Sequence, residues 1–410
     1  MGAQRTTGFR CPTRSVGGYC QSPLARLRTE LSVGTWDREA MRTMGVQEEV
    51  AAKEARVRAF LDEAGCDALV LTTHANFAWI TGGGDNHINV ATDAGVASVV
   101  IARDAKYVVA PANEAHRIMA EEIAAPGYEL RTVAWSDLDG VGGEIERLTR
   151  DLVVASDTGI AGSTLETRRI AALRYALTPE EIDRYRSLGA DAEQCLRSVA
   201  KGLTPGLSEN EIAGRLSGAM LARGITPIVM LVAADERIAQ YRHPINTDKK
   251  VERTVMMIVC ARRRGLIVAC TRHVHFGLLP SELRRKHDAV VRVDAALNLS
   301  TTVGAALGDI FAVGQQAYAD AGFPDEWRLH HQGGSIGYAP REVVARPGET
   351  QPVLANQAFA WNPSITGTKS EDTILVTDAG MEWLTLSPEW PMLDVEFRGR
   401  TVQREDILVL

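Results

Sequence analysis

The sequence predicts an α+β protein of two domains, and three observations carry that expectation. The chain has 410 residues, more than one ordinary core organises. Its first half alternates short apolar runs with helical patterns, as a small α/β unit does. From residue 177 onward, long helical segments are followed by strands, then helices, then strands again, the segregated order of an α+β domain. Hydrophobic residues make up 45% and charged residues 24%, the balance of a soluble globular protein. A net charge of -7 argues against general nucleic-acid affinity. No run approaches the length of a membrane-spanning helix. The expected divisions are 1–43, 44–170 and 171–410.

Residues 1–29 carry five arginines and no acid, with no apolar stretch of the secretory kind. We expect a disordered extension or an upstream start, with the first domain opening near Met41 or Met44. Residues 48–64 (EEVAAKEARVRAFLDEA) form an amphipathic helix ended by Gly65. A buried strand follows at 68–71, and then THANFAWITGGG, which reads as a polar, glycine-rich turn. Strands at 96–101 and 107–110 and a helix over 112–124 complete the first unit. Thr178-Pro179-Glu180-Glu181 is a helix start, with Thr as cap, Pro in the first turn and Glu181 able to close a capping box. That helix runs to about Lys201. Ser208 and Glu211 open another in the same way. Strands at 226–233, 254–260 and 266–270 precede helices from Ser281 and from about Val303, and strands return at 357–361 and 373–377.

NFAWITG (76–82), LTPEEI (177–182) and RHPINTDKK (242–250), in that order and spacing, resemble segments of the superfamily of creatinase, prolidase, aminopeptidase P and methionine aminopeptidase. The resemblance runs from about residue 48 to 395. It implies a pita-bread C-terminal domain preceded by a smaller creatinase-type α/β domain. It also implies a homodimer, in which residues near Asn76 to Trp79 complete a neighbour's site. His243 falls at the family's active-site histidine.

The family's metallopeptidases hold two divalent ions with two Asp, one His and two Glu, because such ions require anionic oxygen and neutral nitrogen donors. The matching positions here carry Ile258, Ala269, Gly334 and Asn362. Only Glu371 keeps its carboxylate, and one carboxylate cannot hold two ions. No metal and no other cofactor is therefore expected. The surrounding sequence nonetheless stays polar, in His330-His331-Gln332, Arg341-Glu342 and residues 361–372, and buried polar groups need partners.

His243 is accordingly the candidate acid or base, since imidazole exchanges protons near neutral pH. Its plainer reading is a histidine that hydrogen-bonds beside Pro244. Glu371 is the second catalytic candidate, through orienting His243 or holding a cationic substrate group, with Asp372 beside it. Arg341 offers bidentate pairing to a substrate carboxylate. Asn362, His330, His331, Gln332, Trp361 and Trp79 are candidate lining residues, although burial is the default for either tryptophan. Arg262, Arg263 and Arg264 form a basic turn in which at least two read as solvated, and His273 with His275 reads as a weaker metal pair on one strand face. Six cysteines without a CxxC pair read as reduced, mostly buried thiols of a cytoplasmic protein.

The expected activity is metal-independent and creatinase-like: hydrolysis or elimination at a C–N bond of a small, carboxylate-bearing amino-acid derivative. A silent peptide- or ligand-binding pseudo-peptidase and a metallopeptidase with relocated ligands are the alternatives. Neither nucleic acid nor membrane is an expected partner.

Overall fold

The computed structural model describes residues 44–123 and 125–410. The tail expected over 1–43, with Cys11 and Cys20, lies outside the described residues.

α1 (Met44–Ala64) leads into β1 (Ala68–Thr73), α2 (His74–Thr81), β2 (Ala94–Ala102), β3 (Lys106–Pro111), α3 (Ala112–Glu121), β4 (Tyr128–Val133), α4 (Gly140–Leu148), β5 (Val154–Ser156), β6 (Thr164–Leu165) and α5 (Thr167–Ala172). The strands form one mixed sheet of order β4-β3-β2-β1-β5-β6. The expected glycine-rich turn over 73–84 is a correction. Only its end is a turn, because Thr73 caps α2 by accepting from the Asn76 N–H and Gly82 closes the helix at φ 78°. Eight residues, seven of them buried, give no amphipathic period to read.

α6 (Pro179–Lys201) and α7 (Glu209–Leu221) open the second half, each with a complete capping box, at Thr178/Glu181 and Ser208/Glu211. β7 (Thr226–Ala234), the short α8 (Glu236–Gln240), β8 (Thr254–Arg263) and β9 (Leu266–His275) follow. Then come α9 (Ser281–Ser300) and α10 (Leu307–Asp320), which starts four residues later than expected, and the strands β10 (Gly333–Ile336), β11 (Val343–Val344), β12 (Gln357–Trp361), β13 (Ser364–Ile365), β14 (Thr368–Lys369), β15 (Asp372–Thr377), β16 (Gly380–Trp383), β17 (Met392–Phe397), β18 (Arg400–Glu405) and β19 (Leu408–Val409). One sheet has the order β19-β9-β8-β7 and another β11-β10-β12-β15-β16. They are stitched where β9 meets β15: the Thr271 N–H donates to the Glu371 carbonyl, and the Ala269 N–H to the Thr373 hydroxyl.

α6 buries Ile182, Tyr185, Leu188, Ala192 and Leu196, at helical spacing, in a core shared with β8, β9 and the N-terminal sheet. A second core joins α9 and α10 to β12 and β15 through Val290, Leu297, Ile310, Phe359, Trp361 and Ile374. The halves are also tied by charge. Lys53 of α1 sits between Glu49 (2.5 Å) and Glu181 (2.7 Å), and Arg184 donates to both Glu49 oxygens. Arg174 pairs with Glu342 and donates to Asn76, whose amide donates to Asp157 at 2.8 Å. Asn76 and Trp79 are thereby buried within their own chain. Asn76 also lines a cavity, and α2 is packed under the β8–β9 hairpin. There Gly265 (φ 80°) comes so near that a Cβ would lie 2.4 Å from that of Ala78. The three hairpin arginines are half-buried rather than solvated, and Arg263 is paired to Asp191 at 2.6 Å.

Candidate active site

His243 lies just past α8, on a loop held from three sides. Asp235 accepts the N–H groups of Glu252, Arg253 and Thr254, Glu209 accepts those of Ala234 and Thr247, and Arg242 ties the loop to Glu326 (2.5 Å), the Ser364 hydroxyl and the Thr366 hydroxyl. His243 thus arrives exposed but positioned. His330 and His331 come from the segment entering β10. Gln332 fixes that segment by donating to the carbonyls of Trp327 and His330 while accepting from the Tyr318 hydroxyl.

These placements bring three imidazoles together. The Nε2 atoms of His243 and His330 are 3.0 Å apart, so one carries a proton and the other accepts it. The ring of His331 stacks on His330 at 4.3 Å and its Nδ1 accepts from the Gly333 N–H. Burial, then Lys369, pushes His330 down to about 2, and burial, then Arg341, pushes His331 down to about 4. His243 is lowered by the same two causes, burial and Lys369. All three are neutral at neutral pH.

Glu371 is buried and fully engaged. Its oxygens receive the Thr271 hydroxyl (2.7 Å), Lys369 Nζ (3.0 Å) and Arg341 Nη2 (3.1 Å). Burial alone would raise its carboxyl, but Lys369, Arg341 and Thr271 together hold it at about 2. Lys369 was not singled out from the sequence. Its one signal there is a cationic residue inside a strand-forming stretch, GTKSED, flanked by buried positions.

The other expected residues separate. Trp361 and Trp79 are fully buried. Trp361 donates its indole N–H to Thr301 in the α9 core, so neither tryptophan faces an open pocket. Gln332 is a scaffold residue with its amide spent. Asp372 neutralises Arg272 (3.0 Å) and Arg404 (2.8 Å) and does not orient His243. Asn362 is buried with its Oδ1 unpartnered. His275 bonds the Thr254 hydroxyl and the Leu278 carbonyl, and no third donor joins it to His273 in a metal-binding set among the described residues.

The positions that the resemblance matches to the family's paired-ion ligands do not fit ions. Ile258 packs with Leu231, Ala233, Ile238 and Met256, and Ala269 is buried. At Gly334 (φ 149°) a Cβ would lie 2.0 Å from the Val343 carbonyl oxygen, so no histidine can stand there. The one retained carboxylate is in contact with two side-chain cations. Separately, a cavity of about 440 Å³ between the N-terminal sheet and the β8–β9 hairpin, lined by His74, Arg174, Arg262 and Tyr338, reaches Pro340, next to Arg341.

Comparison with known proteins agrees with this architecture. Residues 54–198 match the creatinase/prolidase N-terminal domain and residues 183–378 match metallopeptidase family M24. The chain belongs to the creatinase/prolidase/aminopeptidase P superfamily of pita-bread proteins. It is 22% identical over 222 residues to an uncharacterized peptidase of Staphylococcus epidermidis, across 52% of this chain but only 63% of that protein's length. It is 23% identical to a probable dipeptidase PepE of Mycobacterium tuberculosis over 358 residues, 80% of this chain and 92% of the relative. The structure superimposes on an Xaa-Pro dipeptidase from Bacillus anthracis with a TM-score of 0.70 at 19% identity, covering 88% of this chain and all of the other.

Proposed function

We propose that the protein is a hydrolase-like enzyme that breaks a C–N bond in a small, carboxylate-bearing amino-acid derivative without a cocatalytic ion pair. The observation that carries this reading is a charge imbalance beside a proton-sharing pair. Arg341 and Lys369 both contact the single carboxylate of Glu371, which leaves one formal positive charge next to neutral histidines. An excess guanidinium or ammonium charge recognises a substrate carboxylate, and Arg341 Nε still lacks a partner.

His243 and His330, Nε2 to Nε2, would move the proton. In hydrolysis, His243 takes a proton from water as oxygen attacks the carbon. The proton then passes to the departing nitrogen, so that C–O replaces C–N with no net change at the histidines. Elimination would use the same pair, taking a proton from carbon and returning it to nitrogen.

A thermal-shift screen of amino-acid derivatives should find a stabilising ligand. On a substrate so identified, His243→Ala should fold as the parent does and lose roughly 10²–10⁴-fold in turnover, the worth of a positioned acid or base. An unchanged rate would sink this mechanism.

The names of the relatives favour a second reading, a dipeptidase that needs metal. Turnover of an Xaa-Pro dipeptide that EDTA abolishes and manganese restores would establish it instead.

A further inference from the structure

His331 has no task in the proton exchange between His243 and His330, yet its ring centroid lies 6.0 Å from that of His243 and 4.3 Å from that of His330. One ring nitrogen from each of the three lies within 4.8 Å of the others, and no other three histidine, cysteine or carboxylate side chains converge like this among the described residues. Neutral imidazole nitrogens suit borderline divalent ions, whereas magnesium, calcium and manganese favour oxygen donors. Zinc is commonly held by three histidines with a fourth position open.

The spacing is close to what an ion requires. Metal–nitrogen bonds of about 2.0–2.1 Å put the nitrogens of a tetrahedral site roughly 3.3 Å apart. The 3.0 Å contact between His243 and His330 is near that value already. The remaining contraction is about 1.5 Å, given the same bond lengths. The residues that must move are the exposed His243 and His331, which turn onto the half-buried His330. His330 also keeps a buried Nδ1 without a partner. Glu371 offsets only one of Arg341 and Lys369, so an ion held here has a positive neighbour and would draw an anion into its open position.

We propose that His243, His330 and His331 form a mononuclear site for a borderline divalent ion such as zinc or cobalt, with its fourth position open to a carboxylate or halide. The site differs from the paired-ion centre of the metallopeptidases in using no carboxylate side chain and holding one ion. Filling it engages the lone pairs that proton transfer between His243 and His330 needs, so the cluster has a proton-carrying and a metal-capped state.

Titrating the chelator-treated full chain with Co²⁺ tests this without any substrate, so its outcome is separate from that of the proposed reaction. One ion per chain is expected, with the visible spectrum of four-coordinate cobalt, no thiolate charge-transfer band, and displacement by zinc. His331→Ala should weaken binding at least about tenfold, the effect of some 1.4 kcal/mol. The His243→Ala/His331→Ala double variant, checked for folding by circular dichroism, should bind no cobalt at the same concentrations. The proposal is overturned by a wild-type chain that takes up no cobalt, by a thiolate band, or by a double variant that binds as the parent does.

Discussion

Gly334 shows how one residue sets the character of the site. Its φ of 149° and the Val343 carbonyl 2.0 Å from any Cβ leave space for hydrogen only. Gly334→Ala should destabilise the chain by more than about 2 kcal/mol, as changes that force a backbone shift do. Gly334→His should fail to restore a metallopeptidase for the same reason. Urea unfolding measures the first; a Gly334→Ala chain as stable as the parent would mean that β11 gives way easily. At this scale a motif singles out His243, and the positions compared with the family's ion ligands can each be read off. Lys369 and Arg242 were not legible in the sequence. Their roles depend on Glu371 beside one and Glu326, Ser364 and Thr366 beside the other, and only the folded chain makes those neighbours.

At the scale of elements, α9 is joined to the terminal strands through His287. Its Nε2–H donates to the Glu405 carbonyl at 3.0 Å, and its Nδ1 accepts the Thr368 hydroxyl at 2.9 Å, so the neutral ring is fully satisfied. Burial first, with Arg284 also opposing the cation, pushes it down to about 4 despite the Glu405 carbonyl and the carboxylates of Asp406 and Asp288. The buried His273 alongside is lowered too, by burial and by His287 itself. An unfolded histidine titrates near about 6.5. Between that value and about 4 the unfolded chain binds the proton and the folded one does not, so His287 stabilises fully above pH 6.5 and progressively less on acidification. The loss is about 3 kcal/mol at most. Asp294, raised to about 6 by burial, works in the opposite direction over part of this window. The comparison of parent with His287→Gln therefore carries the sign: the variant should lose less stability between pH 7 and pH 5. A steeper loss in the variant would refute the assignment. Elements with their own signals were readable from the sequence, as the capping boxes of α6 and α7 were. α2 was not, because a short helix buried on nearly every side has no polar face to give it a period.

Across the whole molecule the pita-bread architecture is present, while the positions that the resemblance matches to ion ligands carry hydrocarbon, a glycine and an amide. The order of the motifs made that architecture legible, since the segments carrying them are the ones that pack together: α2 under the β8–β9 hairpin, and α6 along β9. His243, His330 and His331 were candidates for one site, but the meeting of two of their rings Nε2 to Nε2 could not be foreseen, because His243 and His330 are 87 residues apart and nothing local fixes where their loops meet. The proposed function requires that no cocatalytic ion pair forms at Ile258, Ala269, Gly334, Asn362 and Glu371. Its most direct test is to incubate the purified chain with excess manganese, an ion that prefers oxygen donors, desalt it, and count the metal by elemental mass spectrometry. Well under one manganese per chain is expected; two retained per chain would contradict the proposed function.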